Sequence, residues 1–197
     1  MLEKQPQKKF WQRLWNLSAT ASKSGYVRQY PNNDRPQTTS MNLLKALLSQ
    51  VPIFVGHGTN HEGEHFVGRL EMQALVNASA LMLHYTATRT DGKHLHKEAT
   101  LLAAGPDGAL CLWPVMEELP FVLPHRAIDS AHDEEGGSLA VLFASGPRDM
   151  VNIFREEITI ALKPGGELRI AHSWGLPGSA FAERSSCTLH AVTPDGP

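Results

Sequence analysis

Residues 79–104 read SALMLHYTATRTDGKHLHKEATLLAA, and this stretch decides the fold. Side chains on a β-strand alternate between two faces. Leu81, Leu83, Tyr85 and Ala87 therefore share one face, with Met82, His84, Thr86 and Thr88 on the other. Thr90-Asp91-Gly92-Lys93 then breaks the pattern. An Asp-Gly pair tolerates the positive φ of a tight turn, so the chain reverses and a second strand starts at residue 94. The stretch is a β-hairpin.

The same period extends on both sides. In Phe66–Ala74, Gly68, Leu70, Met72 and Ala74 oppose Arg69, Glu71 and Gln73. Further strands are expected at 94–104, 108–116, 120–126, 138–145, 152–162, 166–174 and 184–193, with turns GPDG (105–108), EEGG (134–137) and KPGG (163–166) among them. Such short connections leave no room for the crossover helices that a parallel sheet requires. A two-sheet sandwich needs longer Greek-key links. A long meander closes on itself because closure removes both exposed edges. The expected fold is an all-β, antiparallel up-and-down barrel of about 8–10 strands.

Ahead of the strands, Leu43, Leu44, Leu47 and Leu48 form a helical stripe in MNLLKALLSQ. Ser40 is placed to cap this short helix, Pro52 lies beyond its end, and its greasy face suits a barrel mouth. Residues 29–40, QYPNNDRPQTTS, read as a linker. The chain thus divides into a basic extension with its linker, 1–40, and a barrel domain, 41–197. In KKFWQRLWNL (8–17) one stripe holds Phe10, Trp11, Leu14, Trp15 and Leu17, with Lys8, Lys9 and Arg13 around it. That pattern suits weak contact with a membrane surface or an organelle transit peptide; an extension without its own role is the third reading.

Residues 1–40 carry seven Lys/Arg against Glu3 and Asp34, while the remainder has 11 basic and 18 acidic residues. An acidic domain repels phosphate backbones, so nucleic acid is not an expected partner. Cys111 and Cys187 lie outside any CxxC spacing, which argues against a disulfide framework. No apolar run reaches the length of a membrane-spanning helix, and the expected compartment is the cytoplasm, or an organelle if residues 1–40 act as a targeting segment. Neither a G-x-S-x-G elbow, a phosphate loop nor an HExxH motif occurs, so no catalytic residue is assigned.

The layout resembles the calycin superfamily, and within it the fatty-acid-binding-protein-like and nitrobindin-like barrels. The likeness is carried by NLLKALL, by FVGHGTNHEGEHFVGRLEM with Gly56, Gly58 and Gly63, and by DGKHLHKEATLLAAGPDGALCLWPVMEELPF. In nitrobindin-like barrels a His-x-Glu strand precedes an x-Pro-Asp-Gly hairpin and an apolar strand; here these are His96, Glu98, Pro106-Asp107-Gly108 and Leu110–Val115. The resemblance implies a small, mostly apolar ligand in the barrel, entering near the 43–50 helix. It also implies haem as an alternative, with His190 or His172 as axial ligand. A non-catalytic interaction module with a filled core is the remaining reading.

Six residues are candidates for ligand contact. His96 and Glu98 share a strand face; turned inward they form a polar spot, turned outward a solvated ladder. Arg155 would grip a carboxylate, as inward arginines do in fatty-acid-binding barrels, or pair with Glu157 outside. Trp113, His172 and Trp174 either line the lumen or are core. His57, His61 and His65, with Glu62 and Glu64, are a loop set that either binds a divalent metal or is simply solvated.

Overall fold

The computed structural model describes residues 34–133 and 137–192. Ten antiparallel strands follow one helix. They are α1 (Asp34–Leu48), β1 (Ile53–Thr59), β2 (His65–Leu75), β3 (Ala80–Arg89), β4 (His94–Ala104), β5 (Leu110–Met116), β6 (His125–Asp133), β7 (Ser138–Ala144), β8 (Arg155–Leu162), β9 (Leu168–Gly175) and β10 (Ala182–Ala191). Each strand pairs with its sequence neighbour, and β1 closes the ring on β10 from Phe54↔Ala191 to Thr59↔Ser186. The meander barrel inferred from the period-two pattern is the fold observed.

Three local expectations change. The helix begins at Asp34, so the stretch 34–40 read as linker is helical and Ser40 lies inside the helix; Pro36 falls in the first turn, where its missing N–H is not needed. The glycine-broken segment Ile53–Thr59 is a strand, because Gly56 and Gly58 hide the alternation. The strand placed at 120–126 is loop up to Pro124, and β6 starts at His125.

Closure depends on those glycines. Gly56 faces Gly68 across β1 and β2. A Cβ on Gly56 would lie 2.8 Å from the Leu189 Cα and closer still to the Thr188 carbonyl. The missing side chain lets the seam strand press against β10.

The lumen has two ends. The turns after β2, β4 and β8 surround one; the loops 60–64, 90–93, 117–124, 145–154 and 176–181 surround the other. Leu43, Leu44 and Leu47 are almost fully buried in the core cluster with Phe54, Leu70, Leu81, Leu102 and Leu168. These core residues fill the half of the barrel nearest the helix, as hydrophobic burial favours. The helix therefore seals its end. The opposite end, the mouth, is ringed by the longer loops, whereas residues 43–47 lie packed against the core rather than beside an opening.

Candidate functional site

Alternation along the strands sends a different set of side chains into the mouth half. From β4 come His96, Glu98 and Thr100; from β8 Glu156; from β9 His172 and Trp174; from β3 Tyr85. The register agrees, since Tyr85 faces Glu98 and Glu156 faces Trp174 across neighbouring strands. β4 and β9 lie on opposite sides of the closed ring. His96 and His172 nevertheless meet, with ring centroids 6.2 Å apart. The two side chains bridge the lumen.

Carboxylates alternate with these imidazoles. His96 Nδ1 lies 2.9 Å from both Glu118 oxygens, and its Nε2 lies 3.3 Å from Glu98 Oε2. Glu98 Oε1 accepts from the Thr100 hydroxyl at 2.9 Å. On the far side His172 Nδ1 lies 3.4 Å from Glu156 Oε1. Glu156 Oε2 stands 3.2 Å from His125 Nε2, off the line of a hydrogen bond, and both atoms are buried without another partner. His125 Nδ1 donates to the Leu123 carbonyl at 2.7 Å. The result is a polar bar running Glu118, His96, Glu98, His172, Glu156, His125.

Burial opposes charge on His96, His172, Glu156 and Glu98, but their neighbours outweigh it. Burial would lower His96, yet Glu118 and Glu98 hold it up at about 10. His172 is likewise raised, with burial opposed by Glu156 and Glu98. Burial would raise Glu156, but His125 and His172 keep it down at about 2. Glu98 is also lowered: burial acts against it, and His96, His172 and Thr100 prevail. His96, Glu98 and Glu156 are therefore charged at neutral pH, and His172 is pushed towards its charged form.

Side-chain exposure separates its members. His125 is 0% exposed, whereas His96 and His172 keep 21% and 13%. Solvent reaches the last two. Beside them Trp174 receives the Arg184 guanidinium over its ring at 5.0 Å, and has His61 edge-on at 5.4 Å and Phe154 at 6.5 Å. This end of the barrel thus sets an aromatic group, Trp174 with its neighbours, beside the polar bar.

No family model matches the chain, and no curated protein matches it. Solved structures do share its fold. The chain folds like Rv2717c. The crystal structure of Rv2717c from M. tuberculosis matches with a TM-score of 0.60 over 76% of this chain and 97% of that one, at 14% identity. Identity so low speaks for the fold alone. A de novo designed fluorescence-activating β-barrel matches with a TM-score of 0.40 at 9% identity, over 75% of this chain and 97% of that one.

Within this Rv2717c-like barrel, four of the six sequence candidates come together: His96, Glu98, His172 and Trp174. The other two face away. Trp113 stands on the outer face opposite Leu101, because Leu110, Leu112 and Pro114 take the inward positions of β5. Arg155 precedes inward Glu156 and so points outward. It is buried under the loops, donating to the Met150 carbonyl at 3.3 Å and the Ser179 carbonyl at 3.1 Å. Glu157 pairs with Arg148 rather than with Arg155. His190 is exposed on the outer face of β10. His57 and His65 are exposed too, Glu64 pairs with Arg89, and no group of three metal-ligating side chains occurs among the described residues. Glu118, His125, Glu156 and Tyr85 were not singled out from sequence. Glu156 alternates with Ile158 and Ile160 in REEITIAL, and that phase is the signal that could have found it.

Proposed function

We propose that the chain binds a small, partly apolar molecule in a shallow cup at the mouth of the barrel, between Trp174 and the polar bar. The carrying observation is the His96–His172 bridge: two imidazoles with carboxylate partners, set across the lumen near the mouth and still partly exposed to solvent. Removing such groups from water costs several kcal/mol per ion, on the order of what their mutual attraction returns, so stability alone is a weak reason to keep them. A polar floor beside an aromatic wall is a common recipe for orienting a ligand. The likeness to fatty-acid-binding-like and nitrobindin-like calycin barrels supports the same reading.

Haem fits this site poorly. His190 is on the outside, and His172 sits beside Glu156 and Glu98, which against its burial favour the protonated ring, the form without a lone pair for iron. Below the bar, side chains of the core occupy the lumen.

Native mass spectrometry of the purified full chain tests the proposal. A bound small molecule, removed by organic extraction and absent from Trp174→Ala, is expected. A bare polypeptide mass, together with Trp174 fluorescence that aromatic probes leave unchanged, refutes it.

A further inference from the structure

The hydrogen bonds within the bar narrow the choice of guest. Both ring nitrogens of His96 are taken, one by Glu118 and one by Glu98. Glu98 also serves Thr100. The ring nitrogens of His125 face the Leu123 carbonyl and Glu156, inside the wall. His172 differs. Its Nδ1 makes a long contact with Glu156, and its Nε2 has no hydrogen-bond partner among the described residues. A ring with both nitrogens protonated offers a donor at that atom and no acceptor.

Charge sets a second condition. Glu98, Glu118 and Glu156 are three carboxylates in one bar, and an anion bound at His172 would share the cup with all of them. Arg155, the cation that a fatty-acid-type site would turn inward, is spent on loop carbonyls outside the wall. At the rim, Arg184 lies on the Trp174 ring and donates to the Ala180 carbonyl at 2.9 Å and the Trp174 carbonyl at 3.4 Å.

We propose that the cup selects an uncharged, flat guest whose carbonyl-type oxygen accepts from His172 Nε2, and that it rejects the carboxylate of the same skeleton. This inference rests on the mouth being a ligand site, as proposed above. It makes the protein the opposite of a fatty-acid carrier in its choice of polar end.

Three probes with one ring system test it by equilibrium dialysis against the full chain: acetonaphthone, naphthoate and ethylnaphthalene. Acetonaphthone is expected to bind about tenfold more tightly than either of the others, the ratio that one well-placed hydrogen bond to a charged donor supplies. In His172→Leu its affinity is expected to fall to that of ethylnaphthalene. The comparison among probes needs only the unaltered protein, so it stands even if that variant does not fold. Naphthoate binding as well as acetonaphthone overturns the charge condition. Ethylnaphthalene binding as well as acetonaphthone overturns the role of His172 and leaves the mouth as a ligand site. If no probe binds, the ligand site itself fails, and this inference with it.

Discussion

Replacing Glu156 by Gln keeps the shape of the side chain and removes its charge, so it isolates what the carboxylate does for two imidazoles. Glu156 is buried, with His125 at 3.2 Å and His172 at 3.4 Å. Hydrogen bonds to charged groups contribute about 1.5–3 kcal/mol each, and both contacts here are long. Gln can still meet one of them. The net loss is therefore roughly 2–4 kcal/mol, below the ~3–5 kcal/mol for stripping a buried pair of one partner outright. For a domain of this size, each kcal/mol lowers Tm by about 2–4 °C, so a fall of roughly 4–16 °C is expected near pH 6.

The pH dependence carries the reasoning. Burial works against the Glu156 charge and the histidines overcome it, so its value falls from the ordinary 4.5 to about 2. Its contribution is present above 4.5 and is lost as pH falls towards 2. His172 is raised above its ordinary 6.5, so its contribution is full below 6.5 and disappears as pH climbs past its folded value. The gap in Tm between the parent and Glu156→Gln should be widest between about 4.5 and 6.5 and should narrow on either side. Thermal melts followed by circular dichroism across that range measure it. A gap of the same size at every pH, or no gap at pH 6, refutes the ionic account of the bar.

Other outcomes follow from particular contacts. The His96 ring should stay protonated up to about 10 because Glu118 and Glu98 outweigh its burial, and its stabilising effect, full below 6.5, should fade through that value; the ring carbon shifts in NMR report it. Gly56→Ala should destabilise by about 1–3 kcal/mol in urea unfolding, since the new methyl meets the backbone of Thr188 and Leu189 rather than a movable side chain. Leu47→Ala should cost about 2–5 kcal/mol, because this buried residue seals one end of the lumen; an unchanged urea midpoint would contradict that role. Arg155→Met should loosen the loops on either side of it. Hydrogen exchange at the Gly178 amide, which donates to the Val151 carbonyl at 2.8 Å, should speed up while the strands stay protected.

Much of the fold is written in local order. Period-two alternation from Phe66 onward, with turns such as Asp91-Gly92 and Gly165-Gly166 whose glycines take positive φ, dictates antiparallel strands and short reversals. The leucine stripe of α1 likewise announces a buried helical face. Strands whose side chains are missing or mixed escape this reading. Gly56 and Gly58 erase the alternation of β1, and HRAIDSAHD in β6 has too few apolar residues to display any.

The site divides along the same line. His96 with Glu98, and His172 with Trp174, are neighbours on single strands, so shared faces made them visible as pairs. Which face points inward was undecided for each, because a strand pattern is unchanged when its faces are exchanged; closure and register remove that freedom. They turn Arg155 out and Glu156 in. They also bring β4 opposite β9, so that two histidines 76 positions apart in the chain meet at 6.2 Å. Local chemistry determines strands, turns and the helix stripe from the sequence alone. Contacts across a closed ring depend on strand order and stagger, which are properties of the whole sheet, and only the tertiary structure decided those.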